Sequence, residues 1–145
     1  MALALKGEDS SPALVLNGDT LVDIDYPALM IWYAQTPTRV AIVLRQVPDV
    51  SRFGAVVLVG DRVVEFQEKG QQGSGLVNAG VYVVRPEIFP QYGRGECFSF
   101  ETDVLQPYCR ELQPRALVTA GYFIDIGTPG DYERAQKDVA LSRLN

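Results

Sequence analysis

Four apolar residues in a row, Ala13, Leu14, Val15 and Leu16, run straight into Asn17, Gly18, Asp19 and Thr20, and this junction narrows the possible folds more than any other stretch. A strand without polar alternation suits coverage on both faces, as in a parallel sheet flanked by helices, and its polar tip is then a C-terminal strand end. In open α/β sheets ligands bind along that rim. A carboxylate there, beside a glycine that lets backbone come close, is placed to hold a metal ion against phosphate. The same residues would also serve as a chain reversal, because Asn-Gly followed by Asp is a common turn. Asp19 is the first candidate for chemistry.

The rest of the chain alternates strand and helix signals. Ala2 to Lys6 reads as the last turn of a helix, stopped by Gly7 and a polar loop through Pro12. Asp25 can cap a helix with Pro27 in its first turn and Leu29, Met30, Tyr33 and Ala34 as its apolar stripe, ended by Thr36 and Pro37. Arg39 to Val47 is a second strand with an apolar middle. Ala55 to Val59 and Arg62 to Phe66 flank Gly60-Asp61, the spacing of a tight hairpin, so the sheet is mixed. After a glycine-rich loop over 67–75, Leu76 to Val84 resumes strand character. Pro86 opens a short helical turn with Ile88 and Phe89, and 91–96 is a loop. Ser99 caps a turn over Phe100 to Leu105, and Pro107 starts a separate helix to Leu112. Arg115 to Thr119 and Gly121 to Ile124 are short strands. Thr128 and Pro129 start a last helix with Tyr132, Ala135 and Val139 on its buried side.

Composition removes several classes of function. The 145 residues include no histidine, so serine or cysteine triads with an imidazole base are excluded, leaving carboxylates, lysine and bound metal. Cys97 and Cys109 are too far apart for a CxxC pair and read as free thiols. A net charge of -5 without a basic cluster in the sequence argues against a nucleic-acid surface, and no apolar run is long enough for a membrane span. A single domain over 1–145 and a cytoplasmic location are expected.

Asp19 and Asp125 each follow an apolar strand, and each has a glycine within two residues. Two carboxylates on one sheet edge could share a magnesium ion and leave its other positions to water and phosphate, although both would serve equally as turn or capping residues. From here the chain resembles a known family, the sugar-1-phosphate nucleotidyltransferases. The resemblance rests on Leu14 to Thr20, on Phe53-Gly54 followed by Phe66, Glu68 and Lys69, on Asn78-Ala79-Gly80 with Tyr82, on Phe98-Ser99 with Glu101 and Asp103, and on Asp125, Gly127, Thr128 and Pro129, in the family's order. It implies a mixed, mainly parallel α/β sheet with flanking helices, a Rossmann-like nucleotide-diphospho-sugar transferase fold. It also implies that Asp19 and Asp125 ligate Mg2+ and that Lys69 holds the sugar phosphate. Glu101 would accept hydrogen bonds from the sugar, and Asn17, Gly18, Gly54, Glu68, Asn78, Ala79 and Gly80 would surround the substrate. The resemblance is nearest to guanylyltransferases for mannose or glycero-manno-heptose phosphates.

Members of that family open with a strand and a glycine-rich, basic loop that cradles the triphosphate, and the 70–75 stretch lacks that basic constellation. Lys69 is followed by Gly70, where the family usually has proline. The resemblance therefore implies an incomplete domain holding the sugar-phosphate half of the site, inactive alone. Leu14 to Leu16 would present an open strand edge, and a homodimer or a separately encoded N-terminal segment is expected to cover it. A non-catalytic sugar-phosphate-binding or assembly module is the competing expectation.

Overall fold

The computed structural model describes residues 11–92 and 97–140, so the expected helix at Ala2 to Lys6 and part of the 91–96 loop lie outside the described residues. In chain order the elements are β1 (Ala13–Leu16), β2 (Thr20–Val22), α1 (Tyr26–Gln35), β3 (Val40–Val47), β4 (Val56–Val59), β5 (Arg62–Phe66) and β6 (Gly75–Val84). There follow α2 (Ile88–Tyr92), a π-helical turn (Phe100–Leu105), α3 (Cys109–Leu112), β7 (Arg115–Thr119), β8 (Phe123–Asp125) and α4 (Pro129–Ala140). No helix among the described residues is long and apolar enough to cross a membrane.

Six strands form one sheet in the order β1-β6-β3-β7-β5-β4, and β2 and β8 make a separate two-stranded ribbon. β1, β3, β7 and β4 share one direction, while β6 and β5 run against them. Most strands are thus co-directional, as a Rossmann-like sheet requires. The reversed strands sit between them, however, so only β3 and β7 are hydrogen-bonded in parallel. The β4–β5 hairpin turns at Gly60, whose φ of 64 suits glycine.

Side-chain alternation divides the apolar run of β3 between two cores. Val40, Ile42 and Leu44 join Tyr82, Val84, Ile88, Phe89, Val104 and Leu105 on one face. Ala41 and Val43 join Val81, Val83, Leu29 and Tyr33 on the other, under α1. The Asp25 side chain caps α1 by accepting the Ala28 amide at 2.9 Å. Ser99 caps the π-helical turn through the Thr102 amide, and the Gln106 amide donates back to the Glu101 carbonyl five residues earlier.

Two expectations about burial are corrected. β1 is an edge strand, so its covered side is Val15, while Leu14 and Leu16 are 39% and 52% exposed. Of the expected apolar stripe of α4 only Ala135 is buried, and Tyr132 and Val139 are half exposed. The reason is the support beneath the helix: α4 packs against β8 of the narrow ribbon, which cannot cover a full apolar stripe. Cys109 is buried and its thiol, pushed up by burial, donates to the Val63 carbonyl, whereas Cys97 is exposed.

Candidate functional site

Four separated segments meet at a cleft of about 350 Å³ lined by Gly54 and Ala55, by Glu68 and Lys69, by Asn78, and by Ser99, Glu101 and Thr102. Hairpin β4–β5 brings the first two together. Gly54 precedes its outgoing strand and Glu68 follows its return, and the Gln67 amide donates to the Ala55 carbonyl at 2.7 Å. Gly54 has φ of 77, and a Cβ there would sit 2.5 Å from the Gln67 carbonyl oxygen. The glycine is therefore needed for hairpin closure as well as for proximity to a ligand. Lys69 is exposed, and no ion pair among the described residues engages it, leaving its ammonium available to an anion in the cleft.

Asn78 is the joint of this cleft. Its Nδ2 donates to Glu101 Oε2 at 2.9 Å and to the Tyr82 hydroxyl at 2.6 Å, while its Oδ1 accepts the Gly80 amide at 3.0 Å. Both amide protons are spent on protein, so Asn78 orients Glu101 and has only oxygen lone pairs left for a ligand. Burial above all, with the nearby charges of Glu101 and Asp19, pushes the Tyr82 phenol far above its ordinary pKa, so it stays a neutral hydroxyl. The Asn17 side chain also hydrogen-bonds Tyr82, which connects the strand end at 17–19 to the cleft.

Neither Gly18 nor the Ala79 side chain lines the cleft, although the expectation for Ala79 concerns its backbone, between Asn78 and Gly80. Ala79 is fully buried in the core beneath α1, on the sheet face away from Tyr82. Gly18 lines a second, apolar cavity with Leu21, Ile126 and Tyr132, and a Cβ on it would meet nothing within 4 Å. Gly80 lies in a β-bulge where the β3–β6 register shifts, with φ of 73. A Cβ at Gly80 would collide with the Thr20 hydroxyl and lie 2.9 Å from the Asn17 Cβ.

Asp125 ends β8 and Asp19 immediately precedes β2, which puts both at the same end of the ribbon. Thr20 pairs with Asp125, and the Ile126 amide donates to the Asp19 carbonyl at 2.9 Å. A continuous ladder would send residues 19 and 125 to opposite faces, but Asp19 precedes β2 in a bend, where strand alternation no longer fixes its direction. Asp125 Oδ1 accepts the Gly127 amide at 2.8 Å. Carboxylates at this end of the ribbon would supply the oxygen ligands that suit a hard divalent cation.

A cross-link invisible in the sequence order joins the two sides of the site. Arg52, two residues before Gly54, bonds Asp131 Oδ2 at 2.8 Å, and its guanidinium lies over the Phe53 ring, which in turn packs edge-on against Phe123 of β8. Asp131 is buried in the first turn of α4 and also accepts the Thr128 hydroxyl at 2.7 Å. Motif spacing gave no sign of this bond, because its partners are far apart in sequence and neither belongs to a matching motif. The Thr128 hydroxyl first, then Arg52, holds the Asp131 carboxyl below the usual carboxylate range. A depressed folded-state pKa gives stability that is present above the unfolded value of about 3.9 and lost as pH falls through the lower folded value. Asp131→Asn is therefore expected to lower stability at pH 7 and to flatten the acid limb of a melting-temperature profile below about pH 4.

Comparison with known proteins bears on the family and the fold. The nucleotidyl transferase family model matches residues 1–142. The chain belongs to that family. The chain is 40% identical over 121 residues to a D-glycero-α-D-manno-heptose 1-phosphate guanylyltransferase from Campylobacter jejuni, covering 83% of this chain and 52% of the relative. It is 33% identical over 126 residues to the enzyme of the same name from Aneurinibacillus thermoaerophilus, covering 87% and 55%. The crystal structure of HddC from Yersinia pseudotuberculosis superposes with a TM-score of 0.79 at 33% identity, over 95% of this chain and 60% of that one, and a second structure of HddC is complexed with GMP-PN. The chain thus spans about half the length of the curated relatives it matches.

Proposed function

We propose that this chain forms the sugar-phosphate side of a nucleotidyl transfer site acting on a manno-configured sugar 1-phosphate, with GTP as the nucleotide donor. In that reaction a sugar phosphate oxygen attacks the α-phosphorus and pyrophosphate leaves. The observation that carries the reading is the cleft in which Gly54, Glu68, Lys69, Asn78 and Glu101 meet from four stretches of sequence. Lys69 pairs with the sugar phosphate, where a compact ammonium can follow a moving charge. Glu101, oriented by Asn78, accepts hydrogen bonds from sugar hydroxyls, and Glu68 flanks the same pocket. Asp19 and Asp125 hold Mg2+, which when bound lowers the cost of charge on the phosphates. Phosphorylated substrates of this kind support a cytoplasmic location as part of the same proposal.

The strand edge of β1 supports a second part of the proposal. Leu14 and Leu16 are exposed on an edge strand, and such edges recruit partners. A partner strand pairs along that edge, and turnover requires a glycine-rich, basic loop of a kind that these 145 residues do not contain. The test mixes the chain with mannose 1-phosphate, GTP and magnesium and follows both calorimetry and pyrophosphate release. Saturable sugar-phosphate binding without turnover is the expected result for the chain alone. Turnover by a chain that light scattering shows to be monomeric contradicts the partner requirement, and absence of sugar-phosphate binding contradicts the assignment of the cleft.

A further inference from the structure

The opposite end of the sheet carries a feature that the proposed reaction does not use. Four adjacent strands, in the order β6-β3-β7-β5, each place an arginine at the same end: Arg85 just after β6, Arg39 just before β3, Arg115 opening β7 and Arg62 opening β5. The pairing is close. The Arg85 amide donates to the Arg39 carbonyl at 2.9 Å, and Arg62 stands opposite Arg115 in the ladder. With neighbouring strands about 4.8 Å apart, the row is about 14 Å long.

Like charges directly opposed across a ladder are destabilising, so two such juxtapositions at one sheet end call for an explanation beyond folding. Part of the charge is offset, because Asp61 pairs with Arg115 and Glu111 stands near Arg39, accepting the Tyr92 hydroxyl at 2.9 Å. Neutral acceptors hold the others in position: Arg39 donates to Gln91 and Tyr92 and lies over the Tyr92 ring, Arg62 donates to Gln113, and Arg85 hydrogen-bonds the Tyr33 hydroxyl. All four arginines line a cleft of about 750 Å³ that is bounded by the end of α1 and by Gln113. That volume is within the range of small-molecule sites. In a chain of net charge -5, this is a local concentration of forked donors suited to phosphate oxygens.

We propose that this cleft binds a small anion carrying two linked phosphates, at a site distinct from the sugar-phosphate cleft. The two clefts share no lining residue, and Asn78 and Arg85 lie roughly 20 Å apart along β6. Two bridged phosphates can engage both the Arg85/Arg39 pair and the Arg115/Arg62 pair, whereas a single phosphate reaches only one strand pair.

The single tryptophan reports on the site, because Trp32 lies in the last turns of α1 and its carbonyl accepts the hydroxyl of the cleft residue Thr36. The experiment titrates the chain with inorganic pyrophosphate in EDTA at low salt, following Trp32 fluorescence and calorimetry, with orthophosphate as comparison. Saturable pyrophosphate binding is expected, at least tenfold tighter than orthophosphate. It should weaken about tenfold in Arg62→Gln and further in the Arg39→Gln/Arg62→Gln double variant, and remain in Lys69→Ala. Arg62 is exposed and its hydrogen bond to Gln113 is long at 3.4 Å, so Arg62→Gln retains the fold, which circular dichroism verifies. No binding by wild type, wild-type affinity in the double variant, or loss in Lys69→Ala alone would each overturn the proposal. The Lys69→Ala result keeps this test separate from that of the sugar-phosphate cleft.

Discussion

Gly80→Ala is expected to lower the melting temperature by on the order of 10 °C and to abolish sugar-phosphate binding in whatever fraction remains folded. The residue occupies φ of 73, and a methyl group there would collide with the Thr20 hydroxyl and crowd Asn17. Backbone strain of about 1–3 kcal/mol adds to overpacking of similar size. For a chain of this length each kcal/mol corresponds to roughly 3 °C. The effect also reaches function: the Gly80 amide anchors Asn78, which anchors Glu101, and the Gly80 carbonyl accepts the Asn17 amide. Gly18→Ala is the control, because nothing lies within 4 Å of a Cβ there, and it should change stability by no more than about 0.5 kcal/mol. Thermal denaturation of the two variants side by side checks both numbers.

Lys69→Ala should weaken sugar 1-phosphate binding about 10- to 100-fold while leaving the melting temperature unchanged. The side chain is exposed at the cleft and takes part in no ion pair among the described residues, so its removal disturbs no packing. A charge-assisted contact with phosphate contributes about 1.5–3 kcal/mol, which sets the range. Lys69→Arg should recover only part of the loss, since a planar fork replaces a mobile point charge. Calorimetry with mannose 1-phosphate, at two salt concentrations, separates this ionic loss from a loss of shape.

Local signals carried much of the fold. Asp25, Pro27 and Thr36 marked α1, Gly60-Asp61 marked the hairpin, and Ser99 and Thr128 marked two helical starts, because capping and turn chemistry is written within a few residues. Burial was harder to read wherever it depended on a neighbour distant in sequence. Leu14 and Leu16 look like core residues until β1 is seen at the sheet edge, and Tyr132 and Val139 look buried until α4 is seen resting on a two-stranded ribbon. The site shows the same division. Glu68, Lys69 and Glu101 were legible from motif order, and the cleft brings them together. The Arg52–Asp131 bond, the inward commitment of Asn78 and the arginine row each depend on strand order, which no local pattern encodes.

The pairing of Asp19 with Asp125 is tested most directly by anomalous diffraction from a crystal soaked with Mn2+ and mannose 1-phosphate. The account predicts one metal peak about 2.1 Å from a carboxylate oxygen of each residue. Carboxylates turned to opposite faces of the β2–β8 ribbon, with any metal bonded to one of them alone, would contradict it.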